Sequence, residues 1–195
     1  MLKHVSVFLL LIAFAAASVP ADTWTFDKAH SSIGFSVRHL VVSKTKGYFT
    51  DYNGHVKFDG KNPAEGSVEV IIQMASIDTD NADRDKHLKS ADFFDVEKYP
   101  VMKFQSKKVI PGEDDTFKLI GDLTIKDVTR EVTLDGEFNG MINDARGNTR
   151  AGFSAETTIN RQDFNVAWDN KLQDGSLVVS NDVNIVLELE LIKEK

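Results

Sequence analysis

Asp27, His30 and Ser31 bring a carboxylate, an imidazole and a hydroxyl into one short stretch near the start of the chain. A hydroxyl becomes a nucleophile only when an adjacent base takes its proton. On an extended segment, however, His30 and Ser31 point to opposite faces while Asp27 shares the face of Ser31, so the imidazole is not placed to bridge them. The expectation is a hydrogen-bonding role near a strand start and no catalytic residue. The acidic run Asp78-Thr79-Asp80-Asn81-Ala82-Asp83 has the opening of a calcium loop, since hard cations take several carboxylate oxygens. It lacks the turn glycine at its sixth position, which is Asp83, and the bidentate glutamate at its twelfth, which is Lys89. A solvated loop capping a helix is expected there instead. His30, His39, His55 and His87 show no zinc-helix spacing, and neither metal nor cofactor is expected. Arg84, Lys86 and Arg161 could meet an anionic head group, but pairing with Asp85, Asp92 or Asp163 to pin irregular segments is the favoured reading.

The elements that must position these groups are strands. Ile33, Phe35, Val37 and His39 share one parity against Ser32, Gly34, Ser36 and Arg38, the period-two pattern of a half-buried strand. The pattern returns at Val56 and Phe58, Val68 to Met74, Met102 and Phe104, Phe117 to Ile125, Val132 to Phe138, Phe153 to Ile159, and Val183 to Leu191. About eight strands are predicted. Turn chemistry separates them at Asp59-Gly60 with Asn62-Pro63, Pro111-Gly112, Lys126-Asp127, Asn139-Gly140, Arg146-Gly147-Asn148 and Asp174-Gly175, so sequence neighbours should pair antiparallel. The long connection from Ile77 to Lys98 should hold a short helix around 81–95, capped by Asn81 or Asp83. A second irregular segment spans Arg161 to Asp174. Such strands can close into a barrel or stack as two sheets, and periodicity alone does not choose.

Lys3 and His4, the apolar run Val5 to Ala17 and the small residues Val19-Pro20-Ala21 read as a secretory leader, residues 1–21, cleaved after Ala21. One domain, 22–195, should remain, with no membrane-spanning run. An exported chain could use disulfides, yet there is no cysteine. Removing Lys3 with the leader leaves 22 basic against 30 acidic residues, a formal charge of −8, which repels nucleic-acid phosphates. Phenylalanine dominates the aromatic content, with 13 in the chain against 3 tyrosines and 2 tryptophans. It offers apolar area without a polar group, and Phe93, Phe94, Phe164 and Trp168 on the irregular segments are candidate closures of a cavity.

One segment is unusually dense: Arg84 to Pro100 reads RDKHLKSADFFDVEKYP. With WTFDKAHSSIGFSVRHL, KGYF, GDLTIKDVTREVTL, INRQDFNV and VVSNDVNIVLELEL, it makes the chain resemble the YceI family over nearly its whole mature length. Asn165 to Trp168 departs from a more glycine-rich stretch in that family. The resemblance implies an all-β, eight-stranded antiparallel barrel of lipocalin-like type, exported to the periplasm. It also implies that the barrel binds a polyisoprenoid or isoprenoid quinone without catalysing a reaction, and it allows a homodimer. By parity and resemblance the lining is expected from Phe35, Val37, His39, Val56, Phe58, Val70, Ile72, Met74, Phe93, Phe94, Phe104, Leu119, Leu123, Phe138, Phe153 and Phe164. Two other functions compete: an enzyme acting on an apolar isoprenoid-type substrate, and a solid-barrel stress or interaction protein with no ligand.

Overall fold

The computed structural model describes residues 21–60, 65–173, 175 and 177–195. Residues 1–20 of the expected leader 1–21, the Asn62-Pro63 turn and Asp174 lie outside the described residues. Eleven strand segments form one sheet. They are β1 (Asp22–Phe26), β2 (Ser32–His39), β3 (Ser43–Phe49), β4 (Tyr52–Phe58), β5 (Ser67–Gln73), β6 (Ile77–Asp78), β7 (Val101–Pro111), β8 (Thr116–Ile125), β9 (Val128–Asn143), β10 (Thr149–Asn160) and β11 (Val179–Lys193).

Register reduces these segments to eight long strands. Phe26 of β1 faces Leu191 of β11 and Ser32 of β2 faces Glu188, so β1 and β2 lie end to end along one edge of β11. β3 and β4 continue in the same way along β2 and β1, broken only at Thr50 and Asp51. β5 and β6 are a third broken strand, interrupted by the helical turn Met74–Ser76. Consecutive pairing around the ring, with β1 returning to β11, closes an eight-stranded antiparallel up-and-down barrel. Closure gives most edge groups a partner without burying a second sheet, which answers the barrel-or-sandwich question that alternation left open.

Alternation holds strictly where the ladder is regular. In β8, Leu119, Gly121, Leu123 and Ile125 are buried, and the residues between them are more exposed. A bulge in β7 between Ser106 and Lys108 reverses the parity, so Met102 and Phe104 point inward before it and Val109 after it. Asn139-Gly140, expected as a turn, is instead a bulge inside β9: Gly152 faces Gly140 while Phe153 faces Phe138, and Gly140 takes φ +107°. A glycine that supplies positive φ can terminate a strand or kink one, and sequence does not separate the two. The other expected turns with described residues are present, with positive φ at Gly60, Lys126, Gly147 and Gly175.

The predicted helix is α1 (Ala82–Lys89), capped by Asn81, whose side chain accepts from the Arg84 N–H. With the turns that follow it, α1 sits at one end of the barrel, together with the turn Arg161–Phe164 and the chain beyond it. The opposite end is filled by aromatic packing. Trp24 is 1% exposed, donates from Nε1 to the Phe58 carbonyl at 2.9 Å, and packs with Phe58, Ala151 and Leu191. Phe58, Phe138 and Phe153 form a ring cluster against it, with centroids 5.2–5.8 Å apart. Among the described residues no helix is long and apolar enough to cross a membrane.

Candidate functional site: an apolar cavity along the barrel

The barrel is hollow. The inward residues Phe35, Val37, Phe104, Val132, Ile185, Leu187 and Leu189 are only partly buried although they point away from bulk water, because they face open internal space. That space is a cavity of about 230 Å³. Its wall runs from Val37, Phe94 and Val183 near the helix end to Ser67, Phe117 and Leu191 near the other. Among the described residues of the wall, only Lys57, Ser67, Thr157 and Arg161 carry side-chain polar atoms. A cavity so lined does not hold water well, since a water needs two to four polar partners.

Glycines set the bore. A Cβ at Gly47 would come 2.5 Å from the Phe35 ring, one at Gly121 2.5 Å from Phe104, and one at Gly136 2.5 Å from Phe117. Each phenyl ring therefore lies over a bare stretch of neighbouring strand and lines the wall instead of crossing the hollow.

Twelve of the sixteen residues expected to line the bore do stand in the cavity wall: Phe35, Val37, Val56, Phe58, Val70, Ile72, Phe93, Phe94, Phe104, Leu119, Leu123 and Phe153. His39, Met74, Phe138 and Phe164 stand outside it. His39 is the last residue of β2 and lies past the end of the hollow. Met74 leaves strand geometry for the helical turn at 74–76, which takes it off the parity of Val70 and Ile72. Phe138 sits at the β9 bulge, packed behind Phe58 and Phe153. Phe164 is 2% exposed and fills solid core.

The sequence reasoning missed Val109, hidden by the β7 bulge, and the whole inner row of β11 from Val183 to Leu191. The β11 alternation was legible and was not carried into the lining. Phe49 and Val179 lacked a signal, since β3 alternates polar residues with a glycine.

The closures at the helix end are stapled together. Phe93 stacks on Trp168 at 5.2 Å, and His87 meets both rings edge-on while its Nε2 lies 3.0 Å from Asp92. Lys126 Nζ donates to the Phe93 carbonyl at 3.1 Å and to the Asn165 carbonyl at 3.0 Å, joining the two irregular segments. Arg84 is committed to Thr79, donating to its Oγ at 2.8 Å and its carbonyl at 2.7 Å, while Asp85 accepts from the same threonine. Arg161, expected to pair with a carboxylate, meets carbonyl and amide oxygens instead among the described residues. It is 5% exposed and donates to the Ser180 carbonyl at 3.0 Å, the Val166 carbonyl at 2.6 Å and Asn181 Oδ1 at 3.0 Å. Burial pushes its guanidinium below the usual arginine range.

The Asp27 group is also arranged differently from the extended-segment expectation. Residues 27–31 turn between β1 and β2, so His30 Nδ1 does reach Asp27 Oδ2 at 3.0 Å. Ser31 does not join them: its Oγ donates to the Glu190 carbonyl at 3.1 Å and its own carbonyl accepts from the Tyr52 hydroxyl. Asp27, His30 and Glu190 converge closely enough to offer ligand atoms to a cation, a convergence that linear spacing did not signal. Arg150 already occupies the position, donating from Nη1 to Asp27 at 2.6 Å, contacting Glu190, and reaching Asp144 from Nε at 2.8 Å. Its guanidinium beside Asp27, with the His30 contact second, holds that carboxyl at about 2. The cluster thus locks the break between β1 and β2 onto the 144–150 turn.

Comparison with known proteins places this geometry. The YceI-like domain model matches residues 24–191. The YceI protein of Escherichia coli is 39% identical over 186 residues, covering 94% of each chain. The crystal structure of Campylobacter jejuni YCEI protein superposes with a TM-score of 0.71 at 36% identity, covering 88% of this chain and 98% of that one. A polyisoprenoid binding domain from Saccharophagus degradans shares the fold at a TM-score of 0.67 and 15% identity, covering 88% of this chain and 98% of that one. A closed eight-stranded barrel, glycine-seated phenyl rings around an apolar bore and a matched model across almost the entire barrel together establish that the chain belongs to the YceI-like family.

Proposed function

We propose that this protein is an exported, non-enzymatic carrier that holds a polyisoprenoid or isoprenoid-quinone lipid in its bore for transport, storage or sequestration. One observation carries the reading: a long hollow whose wall is nearly all hydrocarbon, in a protein that closes its far end with aromatic rings and its near end with stapled loops. Transfer of each CH₂-sized group of a prenyl chain from water to such a wall gains about 0.8 kcal/mol, set against the entropy of immobilising the chain. Several isoprene units therefore bind usefully without any polar contact. The Saccharophagus degradans domain, described as polyisoprenoid binding, supplies a ligand class consistent with this shape. The absence of a serine–histidine contact at residues 30–31 favours binding over catalysis. The leader read at residues 1–21 supports export to the periplasm.

The test is extraction of natively expressed protein, purified without detergent, followed by mass spectrometry of the extract. A prenyl lipid in stoichiometric amount is expected. An extract repeatedly free of any apolar lipid, with the bore still open, overturns the proposal. Amino-terminal sequencing of the protein from a periplasmic fraction tests export, with Asp22 as the expected first residue.

A further inference from the structure

The β2–β3 hairpin ends in a tip that its own chemistry does not favour. Val42 donates its N–H to the His39 carbonyl across a tight turn whose central residues, Leu40 and Val41, both adopt left-handed backbone, φ +49° and +62°. Turns of this hand are the domain of Asn-Gly pairs, and a β-branched residue at positive φ is an outlier. Strain kept where an unstrained pair would serve points to a use for the side chains. Val41 and the Val42 that follows it are apolar and face solvent, 57% and 84% exposed. Arg38 donates from Nη1 to the Val41 carbonyl at 3.1 Å, holding the tip in shape.

Charge around the tip is one-sided. From Arg38 to Lys46 there are three permanent cations and His39, with no carboxylate, in a chain of net charge −7. Arg38, Lys44 and Lys46 are all exposed. The neighbouring loop, joined to the tip by Leu40 N–H to the Val178 carbonyl and Val178 N–H to the Asn170 carbonyl, adds Leu172 at 38% exposure and Lys171, with Asp169 beside it.

We propose that this tip is a docking device for anionic lipid bilayers, with Val41 and Val42 entering the acyl boundary and Arg38, Lys44 and Lys46 meeting the head groups. Two features are needed for stable peripheral attachment, an apolar insertion and a cationic collar, and both are present in nine residues. A second copy of the chain is disfavoured as occupant, because tip-to-tip contact would set two cationic collars against each other. Lysines on the β3 edge could serve only to block strand addition, since β3 pairs on its far side at Tyr48 and Phe49 alone. That role explains neither the exposed valines nor the strain. The tip also lies beside the helix end of the bore, two residues beyond Val37 and paired at His39 with Val179, both wall residues. Delivery of a lipid from bilayer to bore through this end rests on the carrier reading. Docking itself does not.

The experiment is co-flotation of the mature protein with vesicles of phosphatidylcholine containing phosphatidylglycerol, against vesicles of phosphatidylcholine alone, at low and high salt. Native protein should float with the anionic vesicles and detach at high salt. Lys44→Gln with Lys46→Gln should lower the partition by on the order of thirtyfold, and Val41→Asp with Val42→Asp should abolish it. The variant Leu40→Asn with Val41→Gly fits the turn, so it should raise thermal stability while weakening binding, which separates docking from folding. Failure of native protein to float, or native-like flotation of the aspartate variant, overturns the proposal. So does a native dimer that these substitutions dissociate, which would give the tip to a second copy. Lipid co-purified with the native protein is assayed separately and tests the carrier reading alone, so the docking and carrier readings fail independently.

Discussion

Replacing Leu187 by tryptophan distinguishes a hollow barrel from a packed one by the sign of a stability change. Leu187 faces Ala155 across β10 and Ile33 across β2, and packs against both the core of the helix end and the Val109–Leu119–Leu134 cluster, so it stands midway along the bore. Its side chain is only partly buried because it borders open space, and the small Ala155 beside it leaves room. Tryptophan buries on the order of 80 Å² more surface than leucine, worth about 2 kcal/mol if the hollow accepts it without displacing its neighbours, less about 1 kcal/mol for an indole N–H that the hydrocarbon wall leaves unpaired. Delipidated Leu187→Trp protein should therefore be more stable by about 1 kcal/mol in urea titration, with a melting temperature raised by about 2–4 °C per kcal/mol for a chain of this size. Retained lipid should fall in the same variant, because the indole stands where the guest runs. In a solid core the same change is overpacking and costs about 1–3 kcal/mol. A variant that co-purifies with its full lipid load and is destabilised once that lipid is removed refutes the hollow-bore reasoning.

Three further outcomes follow from particular contacts. Asp27, held at about 2 by Arg150 and His30, contributes stability that is fully present above pH 4 and lost as pH falls toward 2, so Asp27→Asn should flatten that part of the stability profile in denaturant titrations. Asp144 is lowered by the same guanidinium and shifts the profile in the same direction. Trp24→Phe removes the N–H that satisfies the buried Phe58 carbonyl and should cost about 1–3 kcal/mol by urea unfolding, with lipid load unchanged. Gly136→Ala forces the Phe117 ring off the wall, and both the stability of the delipidated protein, by about 1–3 kcal/mol, and lipid retention should drop.

Much of the barrel was legible because period-two alternation is a local property, written in each strand by the need to keep one face out of water. β8 shows it residue by residue, and the Asn81 cap of α1 follows equally from a side chain and the N–H three positions on. β1, where only Trp24 and Phe26 alternate, is too short a run to read as a strand and β3 has almost no apolar residue to alternate, yet their pairing with β11 and β2 completes the ring. At Asn139-Gly140 a turn signature proved to be a bulge, and at Ser106–Lys108 a bulge without a signature reversed a face.

Sequence by itself determined the fold class, the helix in the long connection and most of the inward row, since each depends on neighbours a few residues away. Only the tertiary structure decided that the broken strands align end to end into eight, that Phe35, Phe104 and Phe117 lie flat over glycines, and that Arg161 is buried against the Ser180 and Val166 carbonyls. Those outcomes depend on register across strands far apart in the chain. A one-residue slip there would turn every phenyl ring to the opposite face, and no local pattern records which register closes the ring.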